Sequence, residues 1–438
     1  MDVDVGSAPI IIDLGYERGE PPTYRSRQRS TTPSWFPVAM LSALVLLFAG
    51  ASAGPAKSPL SAVFQLPVGP ADGYALTETG TLLAQSYGQL SSYDLRTGRL
   101  RWEAGESTPS YRLRTVGNLV LMRPLAIGGA APGTTAVSIN NGAGRWARAG
   151  NVVTVPGSPT LLGVSGLRSF TSSSGNVRRV TGTVDAIDPY TGLTLWSVAV
   201  PGTAVLVGVP GPGDEGGRML LIRDDRTATL HDLSDGSVLA TAKLTLADYG
   251  TDNPVVAGGE ILVRHAGTEN VELSAYDPAT LKQVWTIPVA GTFAVEPCGD
   301  VACLVSSHGL TGIDPATGDR LWSQPGWTTI EQQGRVFVAY GGQGTDNPIG
   351  VVDPQTGIVQ VQLHGWRPVE GSGGDGLLVT RTEAGGARTM VAVARPGDTQ
   401  PQVLAPLPTG TGDCQAAPGR LVCRSMYGQL TIWAYGKV

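Results

Sequence analysis

One short spelling recurs along this chain and narrows its fold more than any other feature. It is an apolar run, an aspartate, a turn, and a tryptophan eight residues after the aspartate. It stands as YDLRTGRLRW at 93–102, IDPYTGLTLW at 187–196, YDPATLKQVW at 276–285 and IDPATGDRLW at 313–322. VDPQTGIVQV at 352–361 has lost the tryptophan, and HDLSDGSVLA at 231–240 keeps Asp and Gly without the aromatic end. SINNGAGRW at 138–146 and AVARPGDTQPQV at 392–403 read as weaker copies. Each copy spells a β-hairpin. The carboxylate can accept turn N–H groups, Pro presets φ, and Gly takes the left-handed position. The aspartates at 94, 188, 232, 277, 314 and 353 lie 94, 44, 45, 37 and 39 residues apart. The first gap holds two units, with the weak copy placed at Asn140.

A period of about forty residues with four short strands per unit predicts a propeller rather than a sandwich. Strands such as NLVLMR at 118–123 and RMLLIR at 218–223 are nearly continuous apolar runs, as expected where both sheet faces are covered. Trp102, Trp196, Trp285 and Trp322 then fill wedges between sheets, with Asp94, Asp188, Asp277 and Asp314 holding the turns. The C-terminal GRLVCRSMYGQLTIWAYGKV lacks an outer strand, which SAVFQLPVG at 61–69 can supply. The expectation is an all-β propeller closed by its N-terminal strand, which hides both free edges. Eight blades are favoured, with seven or nine as alternatives, nine being the literal count.

Ahead of the repeats, Ser34–Ala56 is 23 residues without a charge, long enough to cross a hydrocarbon layer. Arg25, Arg27 and Arg29 precede it and only Lys57 follows closely, which places the N-terminus in the cytoplasm. The expected organisation is a disordered cytoplasmic tail at 1–33, a transmembrane signal anchor at 34–56 and an extracytoplasmic propeller at 57–438. The rival is a cleaved signal peptide, since Ala51-Ser52-Ala53 resembles a cleavage site. Cys298/Cys303 and Cys414/Cys423 each flank a turn. They are candidates for two local disulfides in an oxidising compartment, with free thiols as the alternative. The net charge of -5 gives no general attraction to nucleic acid.

The spelling A-x-D-x-x-T-G-x-x-x-W resembles the tryptophan-docking motif of pyrroloquinoline-quinone-like propellers. It is matched by Ala186, Asp188, Thr191, Gly192 and Trp196, and by Ala275, Asp277, Thr280 and Trp285 with Leu281 for glycine. Asp314, Thr317, Gly318 and Trp322 form a third match, with Gly312 for alanine. That superfamily holds quinoprotein dehydrogenases and also non-catalytic members such as the lipoprotein subunit of the outer-membrane β-barrel assembly machinery. The adjacent Cys-Cys pair of the dehydrogenases is absent here, and the chain is shorter than those enzymes. With its arginine-rich composition, the chain resembles an actinobacterial membrane-anchored member of the non-catalytic kind.

Chemistry is sparse in the sequence. His231, His265, His308 and His364 fall in different units without metal-ligand spacing, and G-x-S-x-G is absent. Gly-Thr-Asp-Asn-Pro occurs twice, making Asp252, Asn253, Asp346 and Asn347 weak candidates for Ca²⁺ ligands, with a preferred turn spelling as the plainer reading. The reading that follows is a protein-interaction scaffold with no expected catalytic residue or cofactor. Its partner would be another envelope protein or a cell-wall component. The alternatives are a quinone-dependent oxidoreductase, with pyrroloquinoline quinone or Ca²⁺ as cofactor, and a glycan-binding module using Trp327 and Trp366.

Overall fold

The computed structural model describes residues 33, 35–51, 59–77, 79–86, 88–105, 111–124, 133–155, 158–168, 177–211, 217–244, 254–267, 269–342, 347–371, 376–383 and 388–436. Contacts divide the chain into Met1–Lys57 and Ser58–Val438. In the first unit the described element is a helix, Phe36–Ala51. Its 16 residues reach about 24 Å at ~1.5 Å per residue, short of a bilayer core. Among the described residues, no helix is long and apolar enough to cross a membrane.

The second unit is all-β. Among the described residues its strands pair antiparallel except for Glu370–Gly371, which lies parallel to Gln415–Ala416. The described strands form eight sheets, seven of four or five strands and one of seven. The seven-stranded sheet is two repeat units merged along the strand Thr194–Val209. The first part of that strand pairs with Gly182–Ile187 as a fourth strand, and Ala204–Val209 pairs with Arg218–Arg223 as the next first strand.

Eight sheets therefore carry nine four-stranded units among the described residues. In order they are 74–104, 111–148, 151–200, 203–243, 255–288, 292–325, 327–362, 367–407 and 411–435, the last completed by Leu60–Pro67. The favoured number of blades equals the number of sheets. The ninth unit arises because both weaker copies, at 138–146 and 392–403, form complete hairpins.

Among the described residues, nine buried apolar clusters sit between consecutive units. One joins Val68, Tyr74 and Leu82 to Val422, Leu430 and Ile432, so unit 9 packs on unit 1 as well as on unit 8. First strands of neighbouring units approach one another, which puts them nearest the axis. Closure is a ladder from Leu60–Tyr435 to Pro67–Gln429, irregular between Ala62 and Phe64. Arg424 fastens it. Its guanidinium donates to the carbonyls of Gly69, Pro70 and Asp72 and pairs with Asp413 at 3.0 Å.

Candidate functional site

The recurring turns are built as their residues dictate. Asp188 Oδ1 accepts the N–H groups of Tyr190 and Thr191, both at 2.8 Å, and Gly192 follows at φ +71°. Asp94 and Asp277 each accept two turn N–H groups in the same way, and Asp314 and Asp353 accept one each, from Ala316 and Gln355. Those N–H bonds hold Asp188 below the usual carboxylate range. In unit 2 the aspartate position is Ser138, not Asn140. Gly142 N–H reaches Ser138 O as Gly192 N–H reaches Asp188 O, which sets the alignment.

Each docking tryptophan crosses to the next unit. The indole N–H donates to the carbonyl one residue past the turn's first position: Trp102 to Ile139, Trp146 to Pro189, Trp196 to Leu233, Trp285 to Pro315 and Trp322 to Pro354, over 2.6–3.2 Å. The ring lies against the next turn's glycine. A Cβ added at Gly142, Gly192, Gly236, Gly318 or Gly357 would stand 2.4–3.2 Å from an indole atom.

Two units without the tryptophan divide its work. In unit 4 the position is Ala240, and Arg218 donates instead, to Pro278 O at 3.2 Å. The glycine of the facing turn is replaced by Leu281, buried at φ +55°, within the apolar cluster that Ala240 borders. In unit 9 Phe64 lies against Gly98, and Arg420 Nε supplies the donor to Leu95 O at 3.2 Å.

The other predicted residues distribute as follows. Disulfides join Cys298 to Cys303 and Cys414 to Cys423, each across one hairpin. Asp252, Asn253 and Asp346 lie outside the described residues, and Asn347 is exposed. His231 is buried between Gly236 O and Thr229 Oγ1, whereas His308 and His364 are exposed. Among the described residues, no group of three or more His, Cys, Asp or Glu is placed to hold a metal ion.

Trp327 and Trp366 correct the rim-tryptophan expectation, because both are buried, 6% and 5% exposed. Trp327 tilts against Trp322 with ring centroids 6.0 Å apart, and Arg381 covers Trp366 at 4.5 Å. Neither offers a face for a sugar to stack on.

The first strands of units 6 and 7 bring two carboxylates together, which the hydrophobic pattern did not flag. Thr329 Oγ1 donates to Glu296 Oε2 at 2.7 Å. Burial raises Glu331 and neighbouring Glu296 adds to the rise, while burial and Glu331 push Tyr340 up to about 12.

Residues 180–339 match the family described as "Outer membrane protein assembly factor BamB". The matched segment, from unit 3 to unit 7, holds the docking tryptophans Trp196, Trp285 and Trp322, and is similar to a BamB-like propeller domain. Among solved structures, BamB from Moraxella catarrhalis is 15% identical, covering 86% of this chain and 98% of that one at a TM-score of 0.39. A structure described as a eukaryotic initiation factor is 12% identical, covering 82% and 93%, at 0.49. A europium-containing methanol dehydrogenase is 12% identical, covering 62% and 73%, at 0.37. No curated protein matches the chain in sequence.

Proposed function

We propose that this chain is a membrane-tethered, extracytoplasmic β-propeller that acts as a non-catalytic scaffold for other envelope proteins. The observation carrying this reading is how the conspicuous side chains are used. The docking tryptophans and their arginine substitutes are spent on joining units, so the blades form a fixed frame and the connections between strands are left to vary. The family match over 180–339 supports the same branch. Two hairpin disulfides fit an oxidising compartment. The charge-free run at 34–56, preceded by arginines, supports the tether.

Photo-crosslinking of the full chain in its native membranes tests the reading. Reproducible capture of an envelope protein through propeller positions is expected. Quinone-dependent alcohol turnover without any captured partner would overturn it. A reporter fused after Gly54 reads the topology separately, and cytoplasmic activity of that fusion would remove the tether.

A further inference from the structure

A groove of about 310 Å³ opens at unit 6, on the face that carries the docking turns. Asp300 and Val301 bound it from the first hairpin of the unit, Asp314, Pro315 and Leu321 from the second, and Gln355 from the turn of unit 7. The Cys298–Cys303 disulfide spans the turn bearing Asp300 and so fixes that wall. Asp314 Oδ1 accepts the Ala316 N–H. Among the described residues, neither Asp300 nor Asp314 forms an ion pair.

The chain itself shows which side chain suits this position. Val301 opens the second strand of unit 6, as Arg218 opens that of unit 4 and Arg420 that of unit 9. Both arginines run toward the next unit's turn and donate to the carbonyl after its aspartate, Pro278 O and Leu95 O. In unit 6 Trp322 already donates to the corresponding Pro354 carbonyl. The second-strand residue there is valine, buried with Trp322 in the cluster between units 6 and 7, and the groove outside it has Asp300 and Asp314 among its lining residues.

We propose that this groove binds the arginine side chain of a partner polypeptide, beside the junction that units 4 and 9 close with an arginine of their own and unit 6 closes with Trp322. Pro315, Leu321 and Val301 receive the methylene stem, and the carboxylates of Asp300 and Asp314 face the planar guanidinium. The Gln355 amide oxygen is a further acceptor. This deepens the scaffold reading by naming one contact it would use.

The test titrates the full chain in detergent micelles with acetyl-Ala-Arg-Ala-amide and with the neutral isostere acetyl-Ala-citrulline-Ala-amide, read by saturation-transfer NMR. The arginine peptide binds near ~1 mM, as one anchored side chain allows, and the citrulline peptide at least about tenfold more weakly. Asp300→Asn, which keeps size and shape, weakens the arginine peptide about tenfold. Leu321→Arg, at a groove position that is 44% exposed, fills the groove from within and abolishes binding without lowering the melting temperature. Equal binding of the two peptides, binding of neither, or full retention in both variants overturns the proposal. A crosslinked envelope partner that Leu321→Arg does not displace would sink the groove and leave the scaffold standing.

Discussion

Arg218 donates to the Pro278 carbonyl across 3.2 Å, at the acceptor position that receives an indole N–H between five other pairs of units. A docking tryptophan both fills the wedge and satisfies a carbonyl. At the junction of units 4 and 5, Leu281 and Arg218 take one task each. A leucine at φ +55° costs roughly 1–2 kcal/mol of backbone strain, which its nearly complete burial offsets.

Arg218→Met is expected to destabilise the propeller by about 1–3 kcal/mol, because the acceptor loses a charged donor. Adding Ala240→Trp and Leu281→Gly rebuilds the arrangement of the other junctions and returns most of that loss. Urea unfolding of the single and triple variants measures both effects. A neutral single substitution would show that the carbonyl needs no partner.

Trp322 separates the two tasks in one residue. Trp322→Phe keeps most of the packing and removes the donor to Pro354, for a loss of about 1–2 kcal/mol. Trp322→Ala also opens a cavity beside Trp327 and Gly357, for about 3–5 kcal/mol. Similar values for the two would mean that the hydrogen bond dominates and the ring does not.

Ring closure depends on Arg424, whose guanidinium satisfies three carbonyls of the segment after the first strand. Arg424→Ala is expected to cost about 2–4 kcal/mol. Amide exchange should then rise first in Leu60–Pro67 and its partner Gln429–Tyr435. Uniform acceleration through all units would contradict a local latch.

Acid should weaken the turns. Asp188 and Asp277 are held below the ordinary value, Asp188 chiefly by turn N–H bonds and Asp277 chiefly by the Thr280 hydroxyl. Their contribution is present above the unfolded value near ~4 and is lost as pH falls through the lower folded values. Glu331, raised by burial, runs the other way. Its contribution is full below the unfolded value near ~4.3 and is lost as pH rises through its folded value. Glu331→Gln is therefore expected to stabilise the protein at pH 7 and to lose that gain as pH falls below the unfolded value. Melting temperatures across pH 3–8 distinguish the two signs.

Reduction of the disulfides removes cross-links over sequence separations of 5 and 9 residues. Each loss is expected to cost about 2–3 kcal/mol. A dithiothreitol series followed by urea unfolding, with Cys298→Ala/Cys303→Ala as the single-bridge control, tests this. An unchanged midpoint would show that strand pairing alone fixes those hairpins.

The hairpins were legible in the sequence because their causes are local. An aspartate and the N–H groups it captures lie within three residues, and a nearly continuous apolar run reports that both faces of its sheet are covered. The closing strand was legible too, since the C-terminal unit visibly lacked its fourth strand. A one-sided reading of tryptophans served Trp102, Trp196, Trp285 and Trp322, but failed for Trp327 and Trp366, whose burial depends on Trp322 and Arg381 in three dimensions.

What the sequence determined by itself was the repeated antiparallel hairpin and the need for neighbouring units to cover its apolar faces. The tertiary structure alone decided that Ser138 stands in for an aspartate, that Arg218 and Leu281 answer the alanine at 240, and that a groove with Asp300 and Asp314 among its lining residues opens outside Val301. Each of these depends on which atoms of units or strands distant along the chain come within contact distance. Spacing along the chain carries no record of that packing.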